Sequence, residues 1–257
     1  MRNALAIAGK DIRSYFVSPT AYVVMTGFLL LGGWFFFNLL ARFNFLLQMY
    51  ASFRNPQALE QLNLNEFVIA PLLHNLSVVL VILVPVITMR SFAEEKKVGT
   101  YELLMTAPLT ITEIVLGKFI AAFVFVFLML LLTGIYPVIL LAYGNPEMGV
   151  ILGGFLGLLL LATAFLALGL LTSSLTENQI IAAVSCLVLL LLLYVISWPA
   201  DTAGEGLGSV LRYLSLTEHF GEMVKGVIDT KDLAYFAIVT VLALFLTHRS
   251  VESLRWR

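Results

Sequence analysis

The side chains that could carry out chemistry are few in this sequence, and they form no catalytic set. Three histidines are scattered along the chain, and neither a G-x-S-x-G serine motif nor an H-E-x-x-H zinc motif is present. Two Gly-Lys pairs occur, but neither completes a G-x-x-x-x-G-K-[ST] phosphate loop. The single cysteine, Cys186, excludes a disulfide framework and a four-thiolate metal site. We therefore predict that the chain is not an enzyme and holds no cofactor or metal.

Charge is instead concentrated in one short segment, residues 90–108, which also carries residues that typically start and stop helices. The residues that we single out there are Arg90, Glu94, Glu95, Lys96, Lys97, Gly99, Thr100, Glu102, Leu103, Leu104 and Pro108.

Their order predicts a short, rigid, amphipathic helix at a membrane surface. Gly99 is suited to the left-handed position that ends a helix, and Thr100 to the N-cap of the next one. Pro108 stops that second helix, and residues 110–113, Thr-Ile-Thr-Glu, form a capping-box pattern that opens another. A charged flank that only anchors a span is one interpretation. Docking to another protein is favoured, because an anchor needs neither three acids nor the exposed apolar run 103–105.

The composition sets the surroundings in which these residues act. Of the 257 residues, 60% are apolar and only 12% are charged, and the mean hydropathy is +0.98. So few charged residues do not cover the surface of a soluble protein of this size, which leaves a lipid bilayer as the solvent. The net charge of −1 argues against nucleic-acid binding.

The apolar stretches predict an all-α membrane protein with six transmembrane helices in one domain, residues 1–257. Runs such as 187–193 lack the alternation of a β-barrel, and each stretch but the last exceeds the ~20 residues that cross a bilayer. The last is shorter but has a basic residue at each end that can reach the interface. The predicted spans are 20–41, 67–89, 114–143, 148–172, 178–198 and 232–248, with a coupling region at 90–112.

The distribution of Lys and Arg predicts that both termini are cytoplasmic. With the N-terminus inside, ten of these residues fall in inner segments and five in outer segments, which follows the positive-inside rule. The inverted topology is the less favoured alternative.

Two other segments have an amphipathic pattern. Residues 1–18 form an interfacial helix, and 199–231 form outer-loop helices, with Ser215 to Glu218 suited to cap the second of them. The N-terminal stripe consists of Leu5, Ala8, Ile12, Tyr15 and Phe16, with Lys10 and Arg13 off the stripe.

The spans themselves carry packing signals rather than binding signals. None has an acidic or basic residue at its middle, which argues against proton or sodium coupling. The pair His74 and Asn75 is interpreted as hydrogen-bonded packing. Gly149, Gly153 and Gly157 recur at every fourth residue and predict a close approach to a helix of this chain or of a second copy.

The charged segment resembles the coupling region of bacterial ABC-2 type transporter permeases. The run from Met89 to Leu104, through Pro108, is most similar to the gliding-motility-associated (GldF-like) and NosY-like branch of that family. Residues 10–19 resemble the family's interfacial helix with its Ser-Pro entry into the first span, and residues 226–229 resemble the segment before the last span.

This resemblance implies a membrane subunit of an ATP-driven transporter in the bacterial inner membrane. A separate ABC ATPase would bind ATP and magnesium, and a second permease chain, identical or related, would complete the pair. Residues 94–104 would be the coupling helix seated on the ATPase, with Lys10 and Arg13 of the interfacial helix beside it. Two alternatives stay open: a non-transporting scaffold of a surface or gliding machine, and an energy-independent secondary transporter.

Overall fold

The computed structural model describes residues 2–52, 62–101, 109–202 and 204–254, and this part of the chain is almost entirely helical. The predicted all-α fold is confirmed: the described residues include six helical stretches that are long and apolar enough to cross a membrane. The helices are α1 (Arg2–Val17), α2 (Pro19–Ser52), α3 (Ala70–Thr88), α4 (Arg90–Val98), α5 (Ile111–Thr133), α6 (Ile135–Tyr143), α7 (Met148–Leu175), α8 (Gln179–Val195), α9 (Glu205–Leu214), α10 (Leu216–Val224) and α11 (Thr230–Leu254).

Several of these helices extend beyond the predicted spans. Helix α2 continues to Ser52 rather than ending at residue 41, and α11 runs from Thr230 to Leu254 rather than from 232 to 248. The predictions placed the ends where charged residues interrupt the apolar run. A helix satisfies its own backbone on either side of the bilayer surface, so it does not have to stop there.

The third span consists of two helices, α5 and α6, which meet at Gly134. The break lies three residues before Pro137. A proline removes one backbone N–H and crowds the carbonyl of the residue four positions earlier, here Thr133. Pro137 therefore lies just after the helix break that it causes at Gly134.

Helix α7 lies at the centre of the bundle and contacts α3, α5, α8, α10 and α11. Its residues Leu158, Leu161 and Phe165 are among the buried side chains of the core. The first and fifth spans lie at the periphery, since each buries only 17% of its most apolar window, against 61% for α7. Their exposed apolar faces are those of helices that contact lipid or another chain.

The glycines of α7 pack against an element of the same chain, helix α10. An added Cβ at Gly157 would lie 2.8 Å from Met223 Cβ, and one at Gly153 would lie 3.3 Å from the Met223 carbonyl oxygen. Gly149 has nothing within 4 Å of its added Cβ. The predicted close approach therefore holds within the chain for Gly153 and Gly157 and not for Gly149.

The end of the bundle that carries α9 and α10 has two different amphipathic helices. Phe220, Met223 and Val224 of α10 are buried, whereas Leu207 and Val210 of α9 are exposed. Helix α9 thus shows its apolar stripe outward, as a helix lying in a membrane interface does. Ser215 occupies the N-cap position of α10, but its side chain makes no capping hydrogen bond, contrary to the predicted capping pattern.

The packing of α10 against α7 predicts opposite results for two matched substitutions. Gly157→Ala forces Met223 to move and should destabilise the protein by about 1–3 kcal/mol, as overpacked cores do. Gly149→Ala, on the same helix but facing open space, should change stability by less than about 0.5 kcal/mol. Thermal unfolding in detergent measures both, and equal midpoints for the two variants would contradict this packing.

Candidate functional site

The described charged residues of the predicted coupling site lie at one end of the bundle. We call this end the charged end; it consists of helix α1, residues 90–101, and the adjacent ends of α5, α7 and α11. Helix α4 follows α3 after a single turn residue, Met89. Its charged residues therefore continue the second span. Thr100 and Tyr101 after it are helical, and the rest of the short helix predicted to begin at Thr100 lies outside the described residues. The described part of the chain has no cluster of three or more His, Cys, Asp or Glu side chains that could hold a metal.

The start of α4 is held by a side chain from another helix. The hydroxyl of Ser173, on α7, accepts hydrogen bonds from the Phe92 and Ala93 backbone N–H groups at 3.1 and 3.3 Å. It donates to the Met89 carbonyl at 3.1 Å. The first N–H groups of a helix have no partner within it, so Ser173 takes the role that an N-cap residue of α4 would otherwise have. The turn at Met89 is thereby fixed to the fourth span.

The far end of α4 stops where the sequence predicts. Gly99 has φ +79°, the left-handed conformation that glycine adopts readily, and its N–H bonds to the Lys96 carbonyl. Lys97, Val98 and Thr100 are exposed together with Gly99, and Val98 is 67% exposed. We call residues 97–100 the tip. The other predicted docking residues, Glu102, Leu103, Leu104 and Pro108, lie outside the described residues.

A buried lysine joins α4 to two other helices. Lys118, on α5, is only 3% exposed, and its Nζ lies 2.7 Å from Glu95 Oε1 on α4 and 3.5 Å from Asp11 Oδ2 on α1. The ammonium also lies 5.3 Å from the centre of the Phe92 ring. Lys10 adds a second positive charge, 3.8 Å from Glu95. Two cations and two carboxylates balance each other, which is what allows charge to be buried here.

Lys96 ties α4 to the end of α7. Its Nζ donates to the Ser174 carbonyl in the last turn of α7, where carbonyls lack helical partners and a cation is favourable. The Ser250 hydroxyl of α11 donates to the same carbonyl at 3.3 Å. Beside them, the Tyr101 hydroxyl donates to the Val251 carbonyl at 3.3 Å, and burial together with Glu95 raises the pKa of Tyr101 to about 12. Tyr101 therefore remains a hydrogen-bond donor at physiological pH.

Helix α1 packs on the third span more closely than an interfacial helix requires. A Cβ at Gly117 would lie 2.8 Å from Ile7 Cβ, so the two helices touch at this glycine. Of the predicted stripe, Ala8 is buried and Leu5 is 63% exposed. The contact face is shifted toward Ala4 and Ile7, because it faces α5 rather than a flat lipid surface.

The aromatic residues at the end of α1 join the same contact. The rings of Tyr15 and Phe16 lie 5.5 and 6.0 Å from Phe125 of α5. Burial raises the pKa of Tyr15 to about 12, against the opposing effect of a hydrogen bond with Ser91. Arg13 and Lys10 are exposed. The Lys10 Nζ lies 4.0 Å from Asp11 Oδ1 and 3.8 Å from Glu95 Oε1.

The structure thus divides the predicted site residues into two groups. Glu95 and Lys96 are used inside the chain, Arg90 and Glu94 form a long pair at 4.0 Å, and the tip is open. Sequence reasoning missed Asp11, Lys118 and Ser173. The only available signal was a lysine close to the start of an apolar span, and it was counted as a topology-setting charge.

The opposite end has a second buried polar cluster, which the sequence did not reveal. His219 Nε2 lies 3.0 Å from the Tyr213 carbonyl oxygen, and Nδ1 lies 2.6 Å from Asp232 Oδ1. The ring stacks on Tyr235 at 3.9 Å between centroids. This cluster fastens the loop helices to the last span. His74, on α3, meets the Phe220 ring edge to face at 5.3 Å.

Comparison with known protein families gives a match. The family model described as ABC-2 family transporter protein matches residues 48–247. No curated protein matches the sequence at a significant level.

The buried cluster predicts a coupled pair of substitutions. Lys118→Met leaves Glu95 and Asp11 without their main partner and should cost about 3–5 kcal/mol, the usual effect of breaking a buried ion pair. The double variant Lys118→Met with Glu95→Gln should lose much less stability than the sum of the losses in the two single variants, because the two side chains are in contact. Thermal unfolding of the four proteins in detergent gives this cycle.

Lys97→Met is the matched control, since Lys97 is on the same helix and exposed. It should leave the unfolding midpoint unchanged. Strict additivity of the Lys118 and Glu95 effects would show that the ion pair does not link these helices.

Proposed function

Since the chain belongs to the ABC-2 family of transporter proteins, we propose that it is the permease subunit of an ATP-driven transporter whose charged end receives the movement of a separate ATPase. The family is one of multi-pass membrane subunits that are not themselves the ATPase. The main support for this proposal is that an exposed surface adjoins a well-anchored helix. Residues 97–100 are exposed, while Glu95 and Lys96 fasten α4 to α1, α5 and α7.

The contacts of α4 make it a suitable lever. A push on the tip would reach the second span through Met89, the third span through Lys118 and the fourth span through Ser173. A partner shifts a conformational equilibrium only through contacts that differ between two states. In this proposal the tip supplies those contacts, together with the predicted docking residues 102–108.

The proposal includes the topology and assembly that the sequence predicts. Both termini and the charged end face the cytoplasm, in the bacterial inner membrane, and a second permease chain, identical or related, pairs with this one. The exposed apolar faces of α2 and α8 leave surface for lipid and for that chain. The likeness of residues 89–104 to the GldF-like and NosY-like branch supports a role within a gliding-associated system.

The competing classes make different demands on the sequence. An ion-coupled secondary transporter usually has a titratable group near the middle of the membrane. Residues 67–89, 119–143 and 148–175 contain no Asp, Glu, Lys or Arg, and their one histidine, His74, packs against Phe220. The buried Lys118 lies near one end of its span and is paired with two acids. A scaffold that moves nothing would keep working when the ATPase is inactive, whereas a transporter would not.

We predict that substitutions in the tip selectively abolish ATPase binding. Lys97→Glu combined with Val98→Asp changes the charge and polarity of the exposed surface while keeping the buried contacts of α4. We expect this variant to lose co-purification with its soluble ABC ATPase when the two are co-expressed. Its thermal unfolding midpoint should match that of the unchanged chain.

Lys225→Glu is the control, because Lys225 is equally exposed, at 68%, but lies at the opposite end. It should retain the ATPase. Retention by the tip variant, or equal loss by both variants, would refute the proposed docking surface. Glu95 is unsuitable for this test, since changing it also breaks the ion pair with Lys118.

A further inference from the structure

A cavity of about 600 Å³ lies at the charged end, between α1, the start of α2 and the junction of α3 with α4. This volume is within the range of small-molecule sites in proteins, about 300–1,000 Å³. One wall is apolar and is built by residues of the spans, among them Ala21, Val24, Val86 and Phe125. The ligand must therefore have an apolar part that lies at membrane depth.

The other wall is charged and balanced in sign. Three cations line it, Lys10, Arg90 and Lys118, and so do three acids, Asp11, Glu94 and Glu95. A purely basic pocket selects anionic lipid headgroups. Here the acids oppose an anion as strongly as the cations attract it, so the wall favours a group that carries both signs.

Two features leave charged side chains of the cavity available to bind such a group. The cations Lys10 and Arg90 reach their acids only at 3.8–4.0 Å, too long for good hydrogen bonds, so both can bind a phosphate. Glu94 is about half exposed and lies 4.0 Å from Arg90, so its carboxylate oxygens can accept hydrogen bonds from an amine on the ligand.

We propose that this cavity binds one phospholipid whose headgroup carries a phosphate and a primary amine. The phosphate lies near Lys10 and Arg90, the ammonium near Glu94 and Glu95, and the acyl chains leave along Val24 and Val86. A segment of a soluble partner fits less well, because the apolar wall belongs to membrane-spanning helices. The inference concerns binding alone and holds whether or not the tip docks an ATPase.

Native mass spectrometry of the purified chain tests the site without an ATPase. The chain is reconstituted in vesicles with equal parts of phosphatidylethanolamine, phosphatidylcholine and phosphatidylglycerol, and then extracted in mild detergent. We expect one bound lipid to persist, with phosphatidylethanolamine enriched about tenfold over each of the others. Val24→Trp fills the apolar wall, and Arg90→Gln with Glu94→Gln removes two exposed headgroup partners; each should abolish the enrichment.

Lys97→Gln is the matched control and should retain the lipid, since Lys97 is on the same helix but does not line the cavity. The Arg90 and Glu94 side chains are about half exposed, so their change leaves the fold intact and the result interpretable even if the Trp variant unfolds. Equal retention of all three lipids, preference for phosphatidylglycerol, or an enrichment that survives both cavity variants would overturn the proposal.

Discussion

The ammonium of Lys118 is the constraint on which the arrangement of the charged end depends. Moving a lysine from water to a site where it is 3% exposed costs several kcal/mol, and that cost is recovered only if carboxylates stay within hydrogen-bond distance. One carboxylate is on α4 and the other on α1. Neither helix can therefore move away from the third span without leaving a charge exposed to an apolar environment. Buried ion pairs contribute little net stability, and fixing a geometry is the role that suits this one.

The same logic explains why α4 is suited to transmit a displacement. Its first turn is held by Ser173, its middle by Lys118 and its last turn by the contact of Lys96 with Ser174. These bonds join it to two spans in addition to the one that it continues. Because α4 is rigid and contacts several spans, a displacement of α4 moves these spans together. A change between two conformations needs such a rigid connection, and a flexible loop with the same charges would not provide it.

The features that could be predicted from the sequence are those with a local cause. The left-handed conformation of Gly99 and the capping box of Thr110 with Glu113 are properties of a few consecutive residues, and both are present. The six spans follow from composition, because a bilayer requires apolar stretches of a given length. The burial of Lys118 depends instead on α1 folding back against α5, a contact between residues far apart in the chain. Likewise, the spacing of three glycines predicted close packing but not which of them faces a neighbour, and Gly149 does not.

Helix α7 connects the two ends of the molecule. Its last turn provides Ser173 and the Ser174 carbonyl to α4, while Gly153 and Gly157 near its start receive α10. Helix α10 is fastened in turn to the last span by His219 and Asp232. Between its two ends, α7 is surrounded mainly by apolar side chains of the core, which permit small sliding movements at low cost. A displacement that enters at α4 therefore has a continuous and mostly buried helix along which to reach α10 and the opposite face.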